Sequence, residues 1–237
     1  MSRSDEPGGG RTLKFWFVAA TRLGEVAFHR DAPLARSLKR AEAFSPLVLA
    51  AAYENKRPLA DVYNRAIDRA ERDDVLAFVH DDVWIDDWRV ADRLRDALAA
   101  YDVVGVAGNR ERAPGQASWV FDGDRPNPGH PSLSGAIQHG ALDAPAPSRY
   151  GDAPARVRLL DGVFLAALAG TLKDRGVRFD PRFPYHFYDT DFCRSCEKAG
   201  LRLGTWPIAL THASSGENWA GETWDAAYQL YLDKWGD

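Results

Sequence analysis

At 237 residues and 45% hydrophobic content, the chain can build one substantial core and is too short for two full domains. Its formal charge of −4 comes from 30 basic and 34 acidic residues mixed along the whole length, so no basic stripe points to nucleic acid. Apolar stretches stay under about ten residues, too short for a membrane span.

The first eleven residues, Met1 to Arg11, are polar and Gly-rich with no signal-peptide core, and read as a disordered tail. Residues 12–237 then form a single domain, expected to be soluble and cytoplasmic. Leu13 to Ala20 reads as the first strand and Leu47 to Ala52 as the second, which ends in Tyr53-Glu54-Asn55. Between them Leu34, Leu38 and Ala41 recur at helical spacing. Pro58 opens a further helix whose apolar stripe is Leu59, Val62, Ala66, Ile67 and Ala70. Val75 to Val79 is then an unbroken run of strand formers, as expected of a strand covered on both faces. This alternation predicts an α/β fold: a mainly parallel, Rossmann-like sheet flanked by helices, with right-handed crossovers.

Asp86 and Asp87 are placed to start a helix containing Trp88, Ala91, Leu94 and Leu98. A fourth strand, Val103 to Ala107, runs into Gly108-Asn109-Arg110. From Glu111 to Arg156 the pattern weakens into a Pro- and Gly-rich insertion, with short strands at 117–121 and 135–138, which reads as a functional loop or β-ribbon. His130 and His139 within it read as solvated loop histidines, and Trp119, Phe121, Tyr185 and Phe187 as core aromatics ahead of sugar-stacking ones.

Asp161-Gly162 interrupts the apolar run Val157 to Ala167, which signals a bulge or a close approach of backbone to ligand. Phe187 to Phe192 opens a helix carrying Cys193 and Cys196. With Phe192 and Ala199 these cysteines share one helical face, and they read as two buried thiols in preference to a redox or metal pair. The last strand, Gly204 to Leu210, ends in Thr211-His212.

Chemistry concentrates where apolar strands stop. His80-Asp81-Asp82 follows Val79 directly, and in open α/β sheets the crevice outside the carboxyl ends of the strands is the usual ligand site. A histidine and two carboxylates there suit a divalent metal held against a diphosphate. The same residues also suit an Asp-rich turn capping the next helix, just as Asp189 or Asp191 suits an N-cap.

Taken in order, the strand-helix-strand opening, the tip His80-Asp81-Asp82, the Asp161-Gly162 strand, the helix start Asp189-Thr190-Asp191 and the late His212 resemble a GT-A type nucleotide-sugar glycosyltransferase over about residues 13 to 215. The resemblance is to family-two-like enzymes, and in particular to the streptomycin-biosynthesis-type branch, where a Tyr-Asn pair (here Tyr63-Asn64) precedes a strand ending His-x-Asp-Val (here His80 to Val83).

The resemblance implies that Asp82 and His212 ligate a metal, with His80 standing where the family has an Asp and serving as ligand, ribose contact or orienter of Asp82. Two imidazoles and a carboxylate suit Mn²⁺ better than Mg²⁺. It further implies that Asp189 is the catalytic base, preceded by Tyr188 where the family has an acid, with Asp191 structural or acceptor-orienting, or else the base in its place. Asn55, Glu54, Tyr63, Asn64, His80, Asp81, Asp161 and Gly162 are implied donor-binding positions, and Thr21 a weaker one. Ser214, Ser215, Gly216 and Trp219 are placed to close over the donor or to form a plain C-terminal loop. The expected partners are a nucleoside-diphosphate sugar and an unknown hydroxyl acceptor, saccharide or small molecule, with no nucleic acid. A noncatalytic nucleotide-sugar-binding module and a metal-dependent nucleotidyltransferase remain alternatives.

Overall fold

The computed structural model describes residues 13–214 and 219–236. The chain runs β1 (Phe15–Ala20), α1 (Glu25–Asp31), α2 (Pro33–Ala41), β2 (Leu47–Ala52), α3 (Leu59–Arg69), β3 (Val75–Val79), β4 (Val83–Ile85), α4 (Val90–Ala100), β5 (Val103–Gly105) and β6 (Ala107–Asn109). It continues with the paired β7 (Phe121–Asp122) and β8 (Arg125–Pro126), the ribbon β9 (Leu133–His139) and β10 (Ala146–Gly151), then β11 (Ala155–Val157), β12 (Leu159–Leu160) and β13 (Phe164–Leu168). Last come α5 (Ala169–Asp174), α6 (Tyr188–Lys198), β14 (Leu203–Thr205), β15 (Leu210–His212) and α7 (Glu222–Trp235).

The main sheet has seven strands in the order β11-β14-β5-β13-β3-β1-β2. Strands β2, β1, β3, β5 and β14 run one way, while β13 and β11 are reversed, so the sheet is mainly parallel. All five residues of β3 are buried, which accounts for its lack of polar residues. A second sheet, β12-β6-β9-β15-β4, lies beyond the carboxyl ends of β3 and β5 and also carries β10 on β9.

The apolar run 103–107 is divided between the two sheets, with Val106 between β5 and β6. Gly108 permits the second part, because a Cβ there would collide with the Leu159 carbonyl on β12. The expected helix around Trp88 begins later, at Val90, and Trp88 itself is exposed and packs edge-on against Phe44 at 4.8 Å. Helix α1 was not expected from the sequence; it ends where Pro33 starts α2.

Beneath the carboxyl end of β3, four rings lock α3 and α6 to the sheet. Phe179 stacks on Phe192 at 4.1 Å, while Tyr63 and Phe78 pack against Phe179 at 5.0 and 4.9 Å. Each fully buried phenyl ring contributes about 1.5–3 kcal/mol, so the floor under the site is rigid. Cys193 and Cys196 are both buried and unpaired, and burial pushes their thiols well above the usual range, which keeps them inert.

Candidate active site

The chain turns sharply after β3, with the Val83 amide donating to the His80 carbonyl at 3.3 Å, and returns as β4. The antiparallel pairing of β4 with β15 sets His212 opposite Val83, and the Ala213 amide donates to the Asp82 carbonyl at 3.0 Å. That register brings the late histidine beside the strand tip. His212 Nε2 lies 3.2 Å from Asp82 Oδ1, and one ligand atom from each of His80, Asp82 and His212 falls within 4.8 Å of the others.

Two ligands at right angles, each about 2.1 Å from an ion, stand about 3.0 Å apart, so the Asp82–His212 spacing fits a divalent cation with little adjustment. Burial opposes charge on both of these residues. Burial is the largest single influence on each, but their mutual hydrogen bond and the nearby opposite charges together outweigh it, lowering Asp82 and raising His212. Burial and the neighbouring His212 hold His80 below the ordinary histidine range, so its ring stays neutral and fit to ligate.

The first turn of α6 lines the same cleft as this cluster. Phe187 enters that turn in the left-handed region, at φ 63°, wedged against Trp224, Tyr228 and Tyr231 of α7. That first turn carries Asp189, whose Oδ2 accepts from the Gly162 amide at 3.0 Å and whose Oδ1 accepts from the Thr190 amide at 2.8 Å. Burial, reinforced by the charge of Asp161, pushes the Asp189 carboxyl up to about 6. Tyr188 donates its hydroxyl proton to the Gly162 carbonyl at 2.8 Å, and the same oxygen stands 2.8 Å from His80 Nε2. Gly162 is obligatory here, since a Cβ would sit 2.7 Å from Tyr188 Cζ and 2.9 Å from Asp189 Cβ. Where the sequence suggests a bulge or an approach of backbone to ligand, the backbone approaches these side chains. Asp161 Oδ1 accepts from the Val163 amide at 2.8 Å and holds the turn between β12 and β13.

These walls enclose an open cleft of about 1060 Å³ lined by Tyr63, Asp81, Asp161, Gly162 and Asp189 together with the three residues of the cluster. Other expected positions lie elsewhere. Asp191 has no exposed surface and points into α7, ion-paired with Lys234 at 2.6 Å and accepting from Trp235 Nε1 at 2.9 Å, and does not line the cleft. Asn64 spends its amide on both backbone groups of Phe179, at 2.8 and 3.0 Å, and braces that segment without lining the cleft.

Glu54 and Asn55 border a separate hollow of about 410 Å³ with Arg22 and Lys56, and the Asn55 side chain bonds the Arg57 backbone. Thr21 is buried and accepts from the Leu23 amide. Ser214 hydrogen-bonds His212 at 2.9 Å and Trp219 packs on Phe121, while Ser215 and Gly216 lie outside the described residues. Trp119, Phe121 and Phe187 are buried, leaving Tyr185 exposed at the rim.

His139, which the sequence suggests is a solvated loop histidine, belongs to the cleft. His139 ends β9, whose parallel pairing with β15 aligns it with His212; the two rings lie 5.7 Å apart, and His139 lines the cleft. Only the strand pairing reveals this, since nothing local distinguishes His139 from His130.

No family model matches the sequence, and no curated protein matches it. Among solved structures, the crystal structure of GalNAc-T7 with UDP, GalNAc and Mn2+ superposes at a TM-score of 0.53 and 11% identity, covering 96% of this chain. The chain has a GT-A-like fold. It spans about half of that structure, 49% of its length. A197 from STIV also matches, at a TM-score of 0.40 and 10% identity, covering 83% of this chain and 82% of that one. No helix among the described residues is long and apolar enough to cross a membrane.

Proposed function

We propose that this chain is a metal-dependent glycosyltransferase that moves a sugar from a nucleoside-diphosphate sugar to an acceptor hydroxyl with inversion. The observation that carries the reading is the lining of one cleft, at the carboxyl ends of the strands, by both the His80, Asp82 and His212 cluster and the Asp189 carboxylate. His80, Asp82 and His212 would hold the ion, and their mixed nitrogen and oxygen donors favour Mn²⁺ over Mg²⁺. When bound, such an ion supplies positive charge where the diphosphate leaving group gathers negative charge.

Asp189 takes the proton from the attacking hydroxyl. Its carboxyl, pushed up to about 6, is a stronger base than an ordinary carboxylate and still mostly ionised at neutral pH. Displacement from the face opposite the diphosphate inverts the anomeric carbon. Asp161 and Gly162 hold the floor, Asp161 raising the basicity of Asp189 and Gly162 orienting it through one amide hydrogen bond. Asp81, which lines the same wall, is a donor contact in this reading. The Tyr63-Asn64 and His80-to-Val83 pattern supports placement near the streptomycin-biosynthesis-type branch.

The test is calorimetric titration of UDP, GDP, dTDP and CDP into the purified chain with and without Mn²⁺, alongside Asp82→Ala. One nucleotide binding only with the metal and only with Asp82 present is the expected result. Metal-independent binding, or none, contradicts the reading.

A further inference from the structure

Resting on that metal reading, we infer that Tyr188 is the positioning residue of the centre: its hydroxyl fixes His80 as the Nε2–H tautomer and leaves Nδ1 as the ring atom offered to the cluster. A phenol carries a single proton. The Gly162 carbonyl can only accept, so the 2.8 Å bond from Tyr188 to that oxygen consumes the proton. The phenol oxygen is then an acceptor toward His80 Nε2, also 2.8 Å away, and that ring nitrogen must carry hydrogen.

A neutral imidazole with hydrogen on Nε2 has its lone pair on Nδ1, and Nδ1 makes no hydrogen bond among the described residues. Ligating histidines are ordinarily held this way, by a partner on the nitrogen that does not face the metal. The Tyr188 ring cannot drift from this task. It is buried against Tyr63 and Phe179, with ring centroids 6.1 and 6.3 Å away, and Gly162 leaves no room on its hydroxyl side. Gly162 also donates its amide to Asp189, so the hydroxyl that orients the metal ligand rests on the same residue that orients the base.

The imidazole resonances of ¹⁵N-labelled, metal-free protein, assigned by comparison with His80→Ala, read the tautomer directly and need no change at Tyr188. The Nε2–H form is expected for His80, and the Nδ1–H form would overturn the inference. Calorimetry with Mn²⁺ alone then compares wild type, Tyr188→Phe, His80→Ala and the double variant. Loss of the hydroxyl should weaken Mn²⁺ binding about 10- to 100-fold, with no further loss when His80 is already alanine, because Tyr188 acts through that ring. Undiminished affinity in Tyr188→Phe, or losses that add in the double variant, would refute it. Failure of the wild type to bind Mn²⁺ contradicts the metal reading itself, while the tautomer spectrum still decides whether Tyr188 sets the His80 ring.

Discussion

Replacing Asp189 by Asn separates chemistry from stability in a way the structure makes quantitative. The carboxyl titrates near 6 in the folded chain against an ordinary value of 3.8, about two units, or about 3 kcal/mol charged against folding once the group is ionised. The folded state holds this proton more tightly than the unfolded state. Its contribution to stability is therefore greatest below about pH 4, is lost as pH rises to about 6, and is flat beyond. The amide removes that cost but gives up one charged acceptor for the amide of Gly162 or Thr190, worth about 1.5–3 kcal/mol.

The two effects nearly cancel, so the melting temperature at neutral pH should move by only a few degrees, at about 2–4 °C per kcal/mol. Turnover should fall by about 10²- to 10⁴-fold, the usual contribution of a general base, with nucleotide affinity unchanged within about twofold. Mn²⁺-dependent donor turnover across pH is the assay, with an acid limb near 6 in wild type and none in Asp189→Asn. Turnover within threefold of wild type, or an acid limb that survives the substitution, would refute the assignment of the base.

Other substitutions probe the same framework. Asp161→Asn removes the charge that helps raise Asp189, so the acid limb of turnover should move to lower pH; an unmoved limb would show that burial alone sets it. Gly162→Ala forces a methyl against Tyr188 and Asp189, which should cost about 1–3 kcal/mol in denaturant titration and depress turnover more than nucleotide binding. Lys234→Ala leaves the buried Asp191 carboxylate without its ion pair, and should destabilise the chain by about 3–5 kcal/mol while nucleotide affinity of the folded protein is kept; a specific loss of binding would return Asp191 to the site.

What the sequence made legible followed from continuity. Val75 to Val79 carries no polar residue because all five positions are buried, and the same feature marks His80 and Asp82 as the point where a ligand can be met. The positions that departed from the family pattern, His80 and Tyr188, are hydrogen-bonded to each other, a relation invisible until α6 is set beside β3. Asp189 and Asp191 looked interchangeable because both lie in the first turn of one helix. Two positions along a helix are about 200° apart, so one faces the cleft and the other meets Lys234 on α7, a partner that local spacing does not reveal. His139 stayed hidden for a related reason: its place depends on register between strands distant in sequence. The division of 103–107 between two sheets was likewise unreadable, since each half is apolar and buried and only Gly105 and Gly108 hint at the crossing.

The most direct test of the central claim is phosphorus NMR of UDP-, GDP-, dTDP- and CDP-linked sugars incubated with the protein and Mn²⁺, with water or a supplied glycoside as acceptor. The account predicts metal-dependent release of the intact nucleoside diphosphate from one donor class, lost in Asp82→Ala. Cleavage between the two phosphates, giving nucleoside monophosphate and sugar phosphate, or no turnover of any donor, would contradict it.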